Sequence, residues 1–347
     1  MGSTAACGRP GDHTSFVVRS NSGRRLALVA GGALLLGGCG SSQSTLNPHS
    51  GPAHDIDVLW WVMFVGAAIV FAVVTALVLV AALRRRGRED LRSDAPEPLF
   101  ARRLVLWGGA LVPLIVLVAL FGLILDTLPS TSAARAKEGK LTIRVVGRQW
   151  FWDVYYVGRH FSTANEIHIP VGVPVRLEVR TGDVIHSFWV PALNRKIDMI
   201  PGRENGILLQ ANRSGTYRGQ CAEFCGLEHA LMAFDVVAQP RAAFRRWLAA
   251  QERPASGGAD GARLFQRNAC AGCHRIRGTA AVGNVGPDLT HVGSRLTIAA
   301  GTLPNTRANL EAWIRDPQHV KPGNKMPALP LSNAEVRRLA SYLEGLK

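Results

Sequence analysis

Two stretches, residues 58–83 and 104–125, contain no charged residue. A bilayer crossing needs about 20 predominantly apolar residues, so each is long enough to span one. In hydrocarbon the backbone must satisfy its own N–H and C=O groups, which makes both stretches helices. The competing reading is a buried core helix of a soluble domain, but such helices rarely run this far without charge. Pro113 lies inside the second stretch. It removes one helical hydrogen bond and predicts a local kink, which a membrane helix tolerates.

The connection carries Arg84, Arg85, Arg86, Arg88, Arg92, Arg102 and Arg103. Short basic loops stay in the cytoplasm, so the segments before and after this 58–125 hairpin are expected on the extracytoplasmic side of a bacterial plasma membrane. Upstream, Arg24-Arg25 precede an apolar run ending in Leu36-Gly37-Gly38-Cys39, the layout of a secretory leader with small residues at its cleavage point. It resembles a bacterial lipobox. Residues 1–38 then read as a lipoprotein-type signal peptide, with Cys39 lipidated and 39–57 an external segment; an ordinary signal or uncleaved anchor is the alternative.

Beyond a short polar passage, alternating apolar and polar residues indicate strands at 141–146, 166–169, 173–179, 187–190, 206–210, 215–220 and 232–237. Several short strands over 139–240 predict an all-β sandwich or barrel. A helix at 241–251 leads into Arg253-Pro-Ala-Ser-Gly-Gly-Ala259, read as a flexible linker, so 241–258 forms a helix-and-linker boundary. From 259 to 347 the texture is helical. The last helix, 332–346, carries Val336, Leu339, Ala340, Leu343 and Leu346 on one face.

The chain has six cysteines. Four form two signatures: Cys221-x3-Cys225-x3-His229-x2-Met232 and Cys270-Ala-Gly-Cys273-His274. In the first, thiolate, thioether and imidazole crowd one loop, and His186 lies in a preceding strand-edge segment; that mixed soft set favours copper over zinc. In the second, two thiols on one helical turn are followed at once by an axial histidine, the requirement for covalent c-type haem. Zinc is the alternative, but it wants a second pair of ligands, and no cysteine follows Cys273. Met326, the only methionine after Met232, is the thioether candidate for the opposite axial position, with His291 and His319 keeping a bis-histidine pair open.

Residues 221–232 resemble the binuclear copper (CuA) loop of the cytochrome c oxidase subunit II family, and the likeness extends to Gly147-Arg-Gln-Trp-Phe-Trp-Asp153, to Asp183–His186 and to Pro201-Gly-Arg-Glu-Asn205. Residues 316–327 resemble the distal loop of class I cytochromes c, and Gly286-Pro-Asp-Leu289 the segment packing on the proximal histidine. Together they imply a multidomain membrane protein of the caa3 type: a two-helix transmembrane hairpin, a cupredoxin-like sandwich and a small all-α cytochrome c domain. The resemblance implies that Cys221 and Cys225 bridge two copper ions, with His186, His229, Met232 and the Glu223 carbonyl completing the set. It further implies Trp150 as the aromatic through which electrons reach copper, and the Glu223 side chain as ligand of a magnesium shared with the catalytic subunit. The implied partners are oxidase subunit I and its companions, with a cytochrome bc complex or a cytochrome c as donor. For Trp150 the plain alternative is a core or interface aromatic.

One departure matters. Many family members carry a glutamate one turn before a tryptophan at the start of the second helix; the stretch from Phe100 to Trp107 has no carboxylate, and Glu97 is out of register. No proton-uptake residue is therefore assigned. The net charge of +15 could suggest nucleic acid, but the membrane topology excludes it. No acidic cluster marks the copper domain as a docking face for a basic carrier, which predicts that the tethered cytochrome supplies electrons internally. The function expected is transfer from haem through copper to a separate oxygen-reducing subunit. A nitric oxide reductase subunit and a membrane-tethered copper-transfer protein are the other readings; Met232 and His186 exceed what a two-thiol transfer site needs.

Overall fold

The computed structural model describes residues 43–85, 99–132, 139–255 and 257–347. The leader, Cys39 and most of the arginine connection lie outside the described residues. The first membrane helix, α1 (Gly51–Arg85), begins before the uncharged run does. Its start is tied to the domain that follows: Ser50 Oγ accepts from Ala53 N–H at 3.1 Å and donates to the Leu193 carbonyl at 2.5 Å. The second helix consists of α2 (Leu99–Leu106) and α3 (Val112–Thr131), joined by one π-helical turn, Trp107–Leu111. The kink predicted at Pro113 takes this form. A proline ring clashes with the carbonyl four residues back, and a wider turn immediately before it makes room.

None of the most apolar stretch of either helix is buried by protein. Phe71 is 73% exposed and Leu117 63%. A soluble core helix would be covered; these faces need lipid.

The third part is a sandwich of two five-stranded sheets. One has the order β3 (Ser162–Ala164), β2 (Phe151–Tyr156), β1 (Leu141–Arg148), β5 (Val175–Thr181), β8 (Asn205–Leu209). The other runs β4 (Glu166–Pro170), β10 (Ala233–Gln239), β9 (Gly215–Cys221), β6 (His186–Trp189), β7 (Ile197–Met199). Pairing is parallel for β1 with β5 and for β10 with β4, and antiparallel elsewhere in the two sheets. Alternate residues of both sheets meet in one core that includes Ile143, Val145, Leu177, Val179, Phe188, Phe234 and Val236. Trp152 lies at its centre, its ring 5.0 Å from Phe234 and 6.0 Å from Phe188. Strand β9 passes so close to Phe234 that a Cβ at Gly219 would fall 2.2 Å from the ring.

After α4 (Arg241–Glu252), a second core is built by α5 (Ala259–Arg267), α7 (Arg307–Arg315) and α9 (Asn333–Gly345). Between them lie α6 (Cys270–Cys273), the short hairpin β11 (Thr297–Ile298) and β12 (Leu303–Pro304), and α8 (Pro317–Val320). Ser332 and Glu335 cap α9 reciprocally, each side chain bonding the other's backbone N–H. Val336, Leu339, Ala340, Leu343 and Leu346 are all buried, as their spacing predicts.

The flexible linker expected at 253–259 is instead held where it leaves α4. Arg277 donates to the carbonyls of Gln251 and Arg253, and His291 Nε2 lies 3.0 Å from the Arg253 carbonyl. The β11–β12 hairpin also packs on the sandwich: Ala233 N–H donates to the Ala300 carbonyl at 3.0 Å and Leu296 N–H to Glu166 at 2.8 Å. Ala300, Phe151 and Ala164 form a small apolar cluster at this junction.

Gly219→Ala should cost about 1–3 kcal/mol by overpacking the sandwich. A lowered denaturation midpoint of the intact chain, followed by tryptophan fluorescence, is the expected readout.

Candidate metal centres

The loop joining β9 to β10 carries most of the first signature. Its ends are clamped, with Cys221 N–H donating to the Met232 carbonyl at 3.0 Å, and His229–Leu231 form one 3₁₀ turn between them. Strand β6 pairs with β9 in the register Phe188↔Cys221, which brings His186 beside the loop. The Sγ atoms of Cys221 and Cys225 lie 3.9 Å apart. His186 Nδ1 is 3.8 Å from Cys221 Sγ, and His229 Nδ1 is 3.7 Å from Cys225 Sγ. Met232 Sδ is 3.8 Å from Cys225 Sγ, and the Glu223 carbonyl 3.1 Å from Cys221 Sγ. All six residues named from sequence therefore converge. Among the described residues, His186, Cys221 and Cys225 are the only cluster of three or more His, Cys, Asp or Glu side chains close enough to share a metal ion.

The two sulfurs share a proton unequally. A hydrogen bond from the Cys225 thiol brings Cys221 down to about 3, and the Cys221 thiolate in turn pushes Cys225 up. Burial lowers His186, but its bonds to Cys221 and Asp183 outweigh that and raise it. Metal loading must displace these protons, as thiolate and neutral imidazole ligands require. Asp183 orients the ring: its Oδ1 lies 2.8 Å from His186 Nε2, leaving Nδ1 toward the sulfurs, and its Oδ2 accepts Gln149 N–H at 2.7 Å. Burial raises Asp183, but its bonds with His186, Gln149 and Val184 prevail and hold the carboxylate below its usual range. At Gly147 a Cβ would lie 3.0 Å from the imidazole. Asp183 is a support that the sequence reading passed over; the Asp-x-x-His spacing carries its signal.

Trp150 is partly buried at the edge of the core. Its indole N–H donates to the Cys225 carbonyl at 3.0 Å, joined there by Gln149 Nε2 at 2.8 Å. The Glu223 carboxylate is 45% exposed and 3.9 Å from Lys196.

In the second signature, Cys270 and Cys273 lie one turn apart on α6 as free thiols. His274 Nδ1 donates to the Pro287 carbonyl at 2.9 Å, which leaves Nε2 for iron. A Cβ at Gly286 would sit 2.6 Å from the imidazole, so the backbone there cradles the ring. Burial pushes His274 down, which favours the neutral form that metal ligation requires. These residues fit a covalent haem. Met326 is half-buried in a loop braced by Asn324, which accepts its N–H at 2.8 Å, and by Gln318, which donates to its carbonyl at 3.0 Å. Of the alternative histidines, His291 has its Nε2 engaged by the Arg253 carbonyl and His319 is exposed on α8.

Comparison with known proteins agrees with both halves. Residues 156–239 match the family described as cytochrome C oxidase subunit II, periplasmic domain, and residues 258–347 match cytochrome c. Cytochrome c oxidase subunit 2 of Alkalihalophilus pseudofirmus is 37% identical over 82% of this chain and 84% of its own length. Its counterpart from Bacillus subtilis is 30% identical over 93% of this chain and 98% of its own. The crystal structure of the periplasmic domain of subunit II of cytochrome oxidase from Bradyrhizobium japonicum is 33% identical over 33% of this chain and 94% of its own, with a TM-score of 0.32. The chain belongs to the cytochrome c oxidase subunit II family, as a membrane-anchored oxidase subunit that carries the family's periplasmic domain and a cytochrome c domain in one polypeptide.

Proposed function

We propose that this subunit accepts electrons at a haem held by Cys270, Cys273, His274 and Met326 and hands them to a two-copper centre held by His186, Cys221, Cys225, His229, Met232 and the Glu223 carbonyl. From there they pass to the subunit that reduces oxygen to water. The observation that carries this reading is the pair of thiol sulfurs 3.9 Å apart, each faced by one imidazole. Two copper ions held by these residues would supply a delocalised redox state that takes up or releases one electron with little change in bond lengths. With both groups bound, Cys270, Cys273, His274 and Met326 would hold the donor and the β9–β10 loop the acceptor, and the transfer would be of one electron at a time with no bond made or broken at either.

The chain's own residues do the rest. Asp183 and the Gly147 backbone fix His186, the Pro287 carbonyl fixes His274, and the buried sandwich keeps the ligands in place before metal arrives. Trp150 supports a role in electron arrival through its bond to the Cys225 carbonyl. The exposed Phe224 and Leu227 give the copper loop an apolar face suited to a catalytic subunit, where the Glu223 carboxylate is proposed to share magnesium. The proposed donor is a cytochrome bc complex or a cytochrome c. The arginine connection supports an extracytoplasmic position for both centres in a multi-pass bacterial membrane protein. The proposed parts are 139–240 for the copper domain and 259–347 for the cytochrome, with Cys39 as lipid anchor.

Electron paramagnetic resonance of the fully metallated protein should show the seven-line hyperfine pattern of one electron shared over two coppers, and Cys221→Ser should abolish it. Its absence from the loaded wild type would sink the two-copper assignment. Asp183→Ala should weaken copper retention about 10–100-fold in chelator competition, because His186 loses its orienting partner.

A further inference from the structure

The loop that carries Met326 and the loop that carries the copper ligands meet through charge. Lys321 Nζ lies 3.8 Å from Glu228 Oε2, and the two side chains are only 3% and 2% exposed. Glu228 immediately precedes His229, and Lys321 directly follows α8 in the 316–327 segment. Lys321 Nζ also donates to the Trp150 carbonyl at 3.4 Å. Beside it, Lys325 donates to Gln149 Oε1 at 3.1 Å, and its ammonium stands 5.7 Å from the Trp150 ring centroid. Gly323 abuts Leu227, where an added Cβ would fall 2.8 Å from Cδ1. Gln149 and Trp150, the residues gripped from the haem side, are the two that hold the Cys225 carbonyl.

We infer that Lys321 and Glu228 are positioning residues, a buried latch that fixes the Met326 loop on the copper loop and so sets the relative placement of the two electron-transfer sites. The inference rests on the proposed haem-to-copper relay and adds the contact that makes it fast. A charge buried without a partner is strongly disfavoured, so each member of this pair tolerates burial only while the other is present. Neutralising one leaves the other uncompensated, and the loops then separate until water reaches it. The domain as a whole stays attached, because a separate set of bonds holds the β11–β12 hairpin and its surroundings: Arg218 to the Gly301 carbonyl, Leu296 N–H to Glu166, and Ser162 to Asp288. Breaking the latch should therefore move one loop and leave the fold intact.

The test uses the assembled oxidase with Lys321→Met, Glu228→Gln and the charge-swapped pair Lys321→Glu/Glu228→Lys. After flash reduction of the haem, each single variant should slow haem-to-copper transfer about tenfold or more, as expected when reacting partners are displaced. The copper paramagnetic spectrum and the haem potential should stay unchanged, and the swapped pair should recover most of the rate. In the intact metal-free chain, the same single variants should raise amide hydrogen exchange in 321–326 and 226–229, again reversed by the swap. The wild-type rate should vary little with ionic strength, since a buried pair is weakly screened. Unchanged rates and exchange in both single variants would overturn the latch, as would slowing seen only where the copper or haem spectrum has altered. An absence of any haem-to-copper transfer in the wild type would instead remove the relay itself, while the exchange measurement would still report on the contact.

Discussion

Two N–H groups from one turn of the sandwich, Gln149 Nε2 and Trp150 Nε1, converge on the carbonyl of Cys225, and the copper loop depends on that convergence. A loop between strands has no ladder of its own to hold it, and under the proposed function this one must keep two sulfurs, two imidazoles and a thioether within bonding reach of shared ions. Each hydrogen bond contributes a modest net amount, about 0.5–1.5 kcal/mol, so their importance lies in direction more than in energy. They pin the middle of the loop, while the bond between Cys221 N–H and the Met232 carbonyl closes its ends. Gly226 follows the pinned residue with φ of +113°, and a Cβ there would lie 3.0 Å from the Trp150 ring. Glycine meets both demands, the left-handed backbone and the close ring.

The candidate ligands were legible because their chemistry is carried by rare residue types at short spacing. Cys221, Cys225, His229 and Met232 sit within one loop, and Cys270, Cys273 and His274 within one turn and its exit. Strands with one buried face were legible too: β1 buries Ile143 and Val145 around the half-exposed Arg144. Strand β2 was not, because Trp152, Val154 and Tyr156 face the sandwich core while Phe151 meets Ala300 of the cytochrome and Asp153 binds Arg148. With both faces covered, the alternation that identifies a strand disappears. The linker misled for the opposite reason. Its Pro, Ser and Gly composition is that of a free chain, yet Arg277 and His291 hold its first residues from far along the sequence. No local pattern announces a partner at that distance, and Lys321 with Glu228 is the same case.

The charge balance gains a physical meaning from these contacts. Lys321 faces Glu228 across the junction of the two domains, while Arg218 pairs with Asp235 inside the sandwich and Arg295 donates to the Asp288 backbone carbonyl inside the cytochrome. Burial lowers Arg295, and it brings Lys321 down to about 8 even though Glu228 pulls the other way. Groups this deeply desolvated contribute little net stability over apolar residues of the same shape. The value of the pair that spans the junction is selectivity: a docked arrangement that separates Lys321 from Glu228 leaves both charges buried alone, so competing arrangements are penalised. That is how a basic cytochrome can sit on a copper domain that presents no acidic docking cluster.

A tether alone would raise the local concentration of the cytochrome and leave its orientation to diffusion. The bonds described here do more, because they form a continuous chain of fixed contacts beginning at the membrane. Ser50 ties the start of α1 to Leu193, and His49 exchanges backbone hydrogen bonds with Ala192 and Asn212. The sandwich carries that constraint to Gln149 and Trp150, which hold the copper loop on one side and receive Lys325 and Lys321 on the other. Each step holds because the preceding element is rigid. A loose joint at α1 would leave the copper loop unable to present one face to a neighbouring subunit, however well its ligands were set. A loose joint at Lys321 would leave the haem loop searching for a surface that Trp150 already offers. Rotational freedom is thus removed at both ends of the copper domain, and electron transfer, which falls steeply with distance, gains from both restraints at once.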